Sequence, residues 1–107
     1  MKYFALLTVL FLVSCTESRQ RRVLVEAEES LSNGKYQEAA ELFRKVVAMS
    51  PETRTAEKAL FKLGFTLESY LKDYDNAVFH YQEFIRLSRD PVSIYELQKR
   101  IAGIHYD

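Results

Sequence analysis

Three kinds of side chain in this 107-residue chain have the types that chemistry at neutral pH requires. They are one thiol, Cys15, two imidazoles, His80 and His105, and clustered carboxylates such as Glu26, Glu28, Glu29, Glu38 and Glu41. Their spacing builds no reactive site. A zinc set needs three or four such groups converging, and the two histidines stand apart with no cysteine beyond Cys15 to join them. No G-x-S-x-G elbow, phosphate-binding glycine loop or H-E-x-x-H pair occurs. The carboxylates read as solvated helix faces, where Glu41 and Lys45 form an i,i+4 pair contributing about 0.3 kcal/mol. His80, next to Tyr81, is expected at a rim or in solvent. No enzyme activity is expected, and no cofactor, metal or small-molecule substrate.

Binding chemistry remains. Phe61 and Phe65 lie one helical turn apart, with Lys58 and Glu68 continuing their face in either direction. Both rings sit one position off the packing stripe of their helix, on a face that the following helix is not expected to cover. Two such rings between opposite charges suit a peptide laid in a groove, its apolar side chains buried and its direction set by the charges. The same spacing also suits two rings packed on helices one and five as core.

The helices that must position these residues come from a repeat. Tyr36, Ala39 and Phe43 recur as Tyr74, Ala77 and Tyr81, Val46-Val47 as Phe84-Ile85, and Ser50 as Ser88, each 38 residues on. A repeat of this length implies a stack of two-helix units, each too small to bury its own apolar face. The fold class is therefore an all-α solenoid of antiparallel helix pairs, with repeats at about 20–53, 54–91 and a partial one at 92–107. Helix one spans Gln20 to Leu31 with Val23, Leu24, Ala27 and Leu31 inward. Gly34 suits the left-handed cap that ends it. Helix two, Tyr36 to Met49, stops before Pro51.

Helix three runs from Thr55 to about Leu71 on a stripe of Ala56, Ala59, Leu60, Leu63, Gly64 and Leu67. A mid-helix glycine costs about 1 kcal/mol against alanine, so Gly64 implies a partner helix so close that only a hydrogen fits. Helix four spans Tyr74 to Ser88, and Ser93-Ile94-Tyr95-Glu96 reads as a capping box opening helix five. Helix five is either a cap on a small stack or the start of a unit that continues in a longer protein. Tyr95, Leu97 and Ile104 give it more apolar surface than a cap carries, which favours the second.

Composition sets the outer bounds. The chain is 48% hydrophobic and 28% charged, with fifteen basic and fifteen acidic residues, so it offers no electrostatic footprint for nucleic acid. The front end is separate. Lys2 precedes an uncharged apolar run, Tyr3 to Val13, that is too short for the ~20 residues a bilayer core requires. Residues 1–14 read as a signal peptide, and residues 15–19 as a short polar tether. Arg19, Arg21 and Arg22 either meet anionic head groups, at about 1 kcal/mol each, or form the solvated first turn of helix one.

Two resemblances add to this. Leu12-Val13-Ser14-Cys15 resembles the lipobox of bacterial lipoproteins. That resemblance implies cleavage after Ser14, diacylglycerol on the Cys15 sulfur and acylation of the new amine. Several acyl chains at ~0.8 kcal/mol per buried methylene hold a protein on a membrane where one would not. A lone cysteine in an exported protein would otherwise be an unpaired thiol in an oxidising compartment; the alternative is a plain secretory signal in which Cys15 is a small apolar residue. Thr16 stands where such lipoproteins carry Asp for inner-membrane retention, which implies the outer membrane, facing the periplasm.

Gly34, Tyr36, Ala39, Phe43 and Pro51, then Leu63, Gly64, Tyr74, Ala77 and Tyr81, resemble the tetratricopeptide repeat signature. The spacing exceeds that repeat's usual ~34 residues, a helix-A tryptophan is missing, and the second closing proline is displaced to Pro91. Together with the lipobox and tether, the stretch SPETRTAEKALFKLG resembles the BamD family, tetratricopeptide lipoproteins of outer-membrane β-barrel assembly. This chain would match only the front half of that family's array. The resemblance implies a protein or peptide partner in the periplasm. The same scaffold also suits an adaptor for pilus, secretion or cell-wall machinery, or a module that associates with itself through its last helix.

Overall fold

The structure, a computed structural model, describes the backbone of residues 2–104 and the side chains of residues 15–104. The side chains of the expected signal peptide, and His105, lie outside the described residues. Five helices follow in order: α1 (Lys2–Ser32), α2 (Tyr36–Met49), α3 (Arg54–Ser69), α4 (Tyr74–Leu87) and α5 (Pro91–Ala102). No strand occurs among the described residues. The starts of α2 and α4 are separated by the repeat step itself. Short turns fold α1 onto α2 and α3 onto α4, and α2 also packs on α3, so the pairs form a stack. The last helix, α5, rests on α4 and makes no close backbone approach to α3.

Small residues set how near the helices come. Ala27, Ala39, Ala40, Ala56, Ala59 and Ala77 have no accessible surface, while Phe43, Leu63, Leu67 and Tyr81 fill the space between them. These are the periodic positions that the stripes identified. Gly64 is the closest approach. A Cβ built there would meet Tyr81 Cε1 and Cδ1 of α4 inside van der Waals contact and lie 3.1 Å from Cζ. The expected reason for a mid-helix glycine therefore holds, and the partner is one aromatic ring.

The two inter-helix turns differ by one residue, with a physical consequence. After α1, Lys35 N donates to Ser30 O at 2.9 Å and Gly34 N to Leu31 O at 3.1 Å. That pattern is a Schellman closure, and Gly34 holds its left-handed position at φ 76°. One repeat later the turn is wider: Asp73 N donates to Leu67 O at 2.8 Å. Its left-handed residue, at φ 56°, is Lys72, which has a Cβ and stands 38 residues after Gly34.

Three local expectations are corrected. Residues 15–19, expected as a short polar tether, are helical and part of α1, which runs unbroken from Lys2 to Ser32. Gln20, placed at the edge of that tether, is fully buried. Its amide donates to Val46 O at 2.9 Å and Ser50 O at 2.8 Å, filling acceptors that the end of α2 leaves open. The Thr53 hydroxyl donates back to Gln20 Oε1 at 2.9 Å and accepts from Ala56 N at 3.0 Å, capping α3. One glutamine thus joins α1 to the end of α2 and the start of α3. Lastly, α5 is capped by Asp90, not by a box at Ser93. Asp90 Oδ1 accepts from Val92 N at 3.2 Å and Oδ2 from the Ser93 hydroxyl at 2.6 Å, with Pro91 in the first turn.

Candidate groove between the third and fifth helices

Because α5 leans on α4 and stands off from α3, an open groove of ≈ 1610 Å³ runs between them. Phe84 and Leu87 of α4 form its floor, with Leu97 of α5 and Phe61 of α3 on its walls. The loop from Ser88 to Asp90 closes one end, where Ser88 Oγ accepts from Asp90 N at 3.2 Å.

Of the four residues that the sequence placed on one binding face, two line this groove. Lys58 is exposed on its rim. Phe61 is 39% exposed and leans on α4, with ring centroids 6.1 Å from Tyr81 and 5.8 Å from Phe84. The expectation that α4 leaves this face uncovered is corrected for Phe61, since α4 supports one side of the ring and the groove receives the other. Phe65 is half-buried elsewhere. Tyr70 meets it edge-on at 5.9 Å, and the Arg100 guanidinium lies 5.4 Å from its centroid, a cation–π arrangement. Tyr70 in turn stacks on Tyr36 at 4.1 Å.

Glu68 joins three helices. Its Oε1 accepts from the Tyr81 hydroxyl of α4 at 2.8 Å and from Arg100 Nε of α5 at 2.6 Å. Burial, and then the bond to Glu68, hold the Tyr81 hydroxyl far above the ordinary phenol range. This ion pair ties α5 to α3 by side chains alone. A second bridge, Lys62 Nζ to Glu28 Oε1 at 2.8 Å, ties α3 to α1. Helical spacing alone puts Glu68 on the face of Phe61 and Phe65; its bonding partners, 13 and 32 residues further on, leave no mark in the local sequence.

Elsewhere the chemistry is sparse. His80 is half-buried on α4, its ring 5.2 Å from Phe79 and perpendicular to it. Its Nδ1 is buried without a hydrogen-bond partner among the described residues. Desolvation and then the Arg44 charge hold its imidazole below the ordinary value. Among the described residues no group of His, Cys, Asp and Glu is placed to hold a metal ion, and no helix is long and apolar enough to cross a membrane. Cys15 is exposed and unbridged on α1.

Two tetratricopeptide-repeat family profiles match the chain, one over residues 26–53 and one over residues 58–90. The first takes the end of α1 with α2, and the second takes α3 with α4. No curated protein and no solved structure matches it.

Proposed function

Since this chain is a tetratricopeptide-repeat protein, we propose that its protein-interaction scaffold works at the cell envelope. A lipid on Cys15 holds it on the periplasmic face of the outer membrane, and the groove between α3 and α5 receives a segment of a protein partner. The observation that carries the binding reading is Phe61, a large ring backed by Tyr81 and Phe84 and open to the groove on its other side. A rigid aromatic backed by packing is what a peptide anchor needs.

Anchoring rests on the run MKYFALLTVLFLVSC, with the sole cysteine at the position lipidation requires and its side chain exposed. Arg19, Arg21 and Arg22 are exposed within two turns of it, and a cationic patch strengthens attachment to anionic lipid. The resemblance to the BamD family points to outer-membrane β-barrel assembly as the setting.

Two measurements test this. A photo-cross-linking residue at position 61, in the full chain in cells, captures a protein partner; capture of nothing there refutes the groove. Radiolabelled palmitate enters the wild-type protein and not Cys15→Ser; a wild-type protein recovered free of lipid refutes the anchor. A second reading is self-association through α5, favoured by Val92 at 67% and Tyr95 at 60% exposure. Sedimentation over a range of concentrations separates the two, because a monomer throughout removes the second.

A further inference from the structure

Chain geometry sets how far the stack can stand from a bilayer that holds Cys15. Residues 15–19 are exposed, and Gln20, bonded to Val46 O and Ser50 O, is where α1 enters the packed core. Those five steps span about 7.5 Å along a helix and no more than ~17 Å if pulled straight. The same clamp fixes which part of the stack comes nearest. Ser50 and Thr53 belong to the α2–α3 loop, so that loop lies level with Gln20. Antiparallel packing carries the level across to the next pair. Gly64 faces Tyr81 and Phe61 faces Phe84, a register that brings Arg54 level with the loop from Ser88 to Asp90. The two loops, the start of α5 and the turns of α1 after Cys15 therefore form one end face.

That face is rich in arginine. Arg19, Arg21 and Arg22 on α1, Arg54 opening α3 and Arg89 between α4 and α5 are all exposed. Among the described residues none of the five is in an ion pair. Three carboxylates share the face: Glu17, Glu52 and Asp90, the last kept ionised by its bonds to Ser93 and Val92. The rest of the chain after Cys15 carries nine basic and twelve acidic side chains, so positive charge collects at the end nearest the anchor. Along α1 alone the sign changes, from the three arginines to Glu26, Glu28 and Glu29 roughly 10 Å further from Cys15.

We infer that this end face rests on an anionic phospholipid surface, so that the helix pairs stand upright on the bilayer with Arg54 and Arg89 at head-group phosphates beside the α1 arginines. This deepens, and rests on, the reading of Cys15 as lipidated. Guanidinium groups suit phosphate because they present paired N–H donors. The attraction fades within a Debye length, ~8 Å at physiological salt. It therefore acts on the loops at this end and not on the far turns at Gly34 and Lys72. The same field turns the acidic half of α1 away from the lipid. A second copy of this chain meeting the face would set arginines against arginines, which a bilayer does not.

The test uses the full chain purified from membranes and reconstituted into vesicles of phosphatidylcholine, with or without phosphatidylglycerol. Lipid on Cys15 blocks the only native thiol, which leaves Val92→Cys or Gln37→Cys as the sole dye site. Val92 is exposed on the end face, and Gln37 is exposed at the opposite end, in the first turn of α2. In the anionic vesicles, nitroxide head-group lipids should quench the dye strongly at Val92→Cys and weakly at Gln37→Cys. Arg54→Glu with Arg89→Glu, helical content unchanged, should lower quenching at Val92→Cys roughly threefold while the protein stays on the vesicle. Raising salt on the unaltered arginines should act in the same direction. Equal quenching at the two sites overturns the inference and leaves the anchor standing. So does quenching at Val92→Cys that is indifferent to phosphatidylglycerol and to the arginines. Dye uptake by the wild-type protein exposes a free Cys15 and removes both.

Discussion

Replacing Gly64 with alanine sets two effects of opposite sign against each other. In an isolated helix the change stabilises by about 1 kcal/mol, because glycine loses more backbone freedom on folding. In this fold the new methyl meets the Tyr81 ring, which is fully buried and cannot swing into solvent. Overpacking of a close-packed contact costs about 1–3 kcal/mol. If the ring shifts to relieve it, its hydroxyl moves off Glu68 Oε1, now at 2.8 Å; a hydrogen bond to a charged group contributes roughly 1.5–3 kcal/mol. The net expectation is a loss of about 3 kcal/mol, a large fraction of the roughly 5–15 kcal/mol that holds a domain together. Urea unfolding of the full chain, followed by far-ultraviolet circular dichroism, measures it. Tyr81→Phe in both backgrounds separates the two costs, since that variant loses little in the Gly64→Ala protein if the bond to Glu68 is already broken. Gly64→Ala equal to or more stable than wild type would refute the argument, because helix propensity alone would then govern the site.

Three other perturbations follow from the same geometry. Lys72→Gly relieves a left-handed backbone that costs an L-residue about 1–2 kcal/mol, less the entropy glycine loses. Its thermal midpoint should rise by a few degrees, for a net gain of about 0.5–1 kcal/mol. Gln20→Leu keeps apolar volume but takes the amide donor from Val46 O and leaves Ser50 O and the Thr53 hydroxyl only each other, 3.2 Å apart, so urea unfolding should show a loss of about 1–2 kcal/mol. His80 titrates below its ordinary 6.5, because burial and then Arg44 disfavour its charge while Glu83 and Asp73 oppose them only in part. The unfolded chain then binds more protons between the two pKa values. Stability is whole above about pH 6.5 and falls as pH drops through the folded-state value. A plot of thermal midpoint against pH should show this slope in wild type and a flatter one in His80→Asn.

The apolar stripes were readable because a 3.6-residue period leaves its mark in local sequence. The bounds of α2 came out as Tyr36–Met49 from that period and the turn before it, and Gly64 betrayed a close neighbour by its propensity cost alone. Polar contacts were not readable in this way. Gln20 bonds to residues 26 to 33 positions away, and a glutamine in a polar run has the same neighbours in sequence whether it is buried or not. Asp90 was within reach: two capping residues stood three apart, and Pro91, which suits a first helical turn, marks the earlier one. Phe61 and Glu68 were placed on the right helix with only part of their surroundings. A position one step off a stripe is still within reach of a large side chain such as Phe84.

In α1, the helical path runs from Cys15 into the packed core without a hinge. Gln20, five residues beyond Cys15, lies about 7.5 Å further along the axis at the usual rise, and it is already clamped to the end of α2. Whatever grips the thiol therefore takes hold of the entire stack as a handle takes hold of a blade. The bearing of the groove, measured from that point, is fixed by helix phase, and inserting one residue between Cys15 and Gln20 would turn it by about 100°.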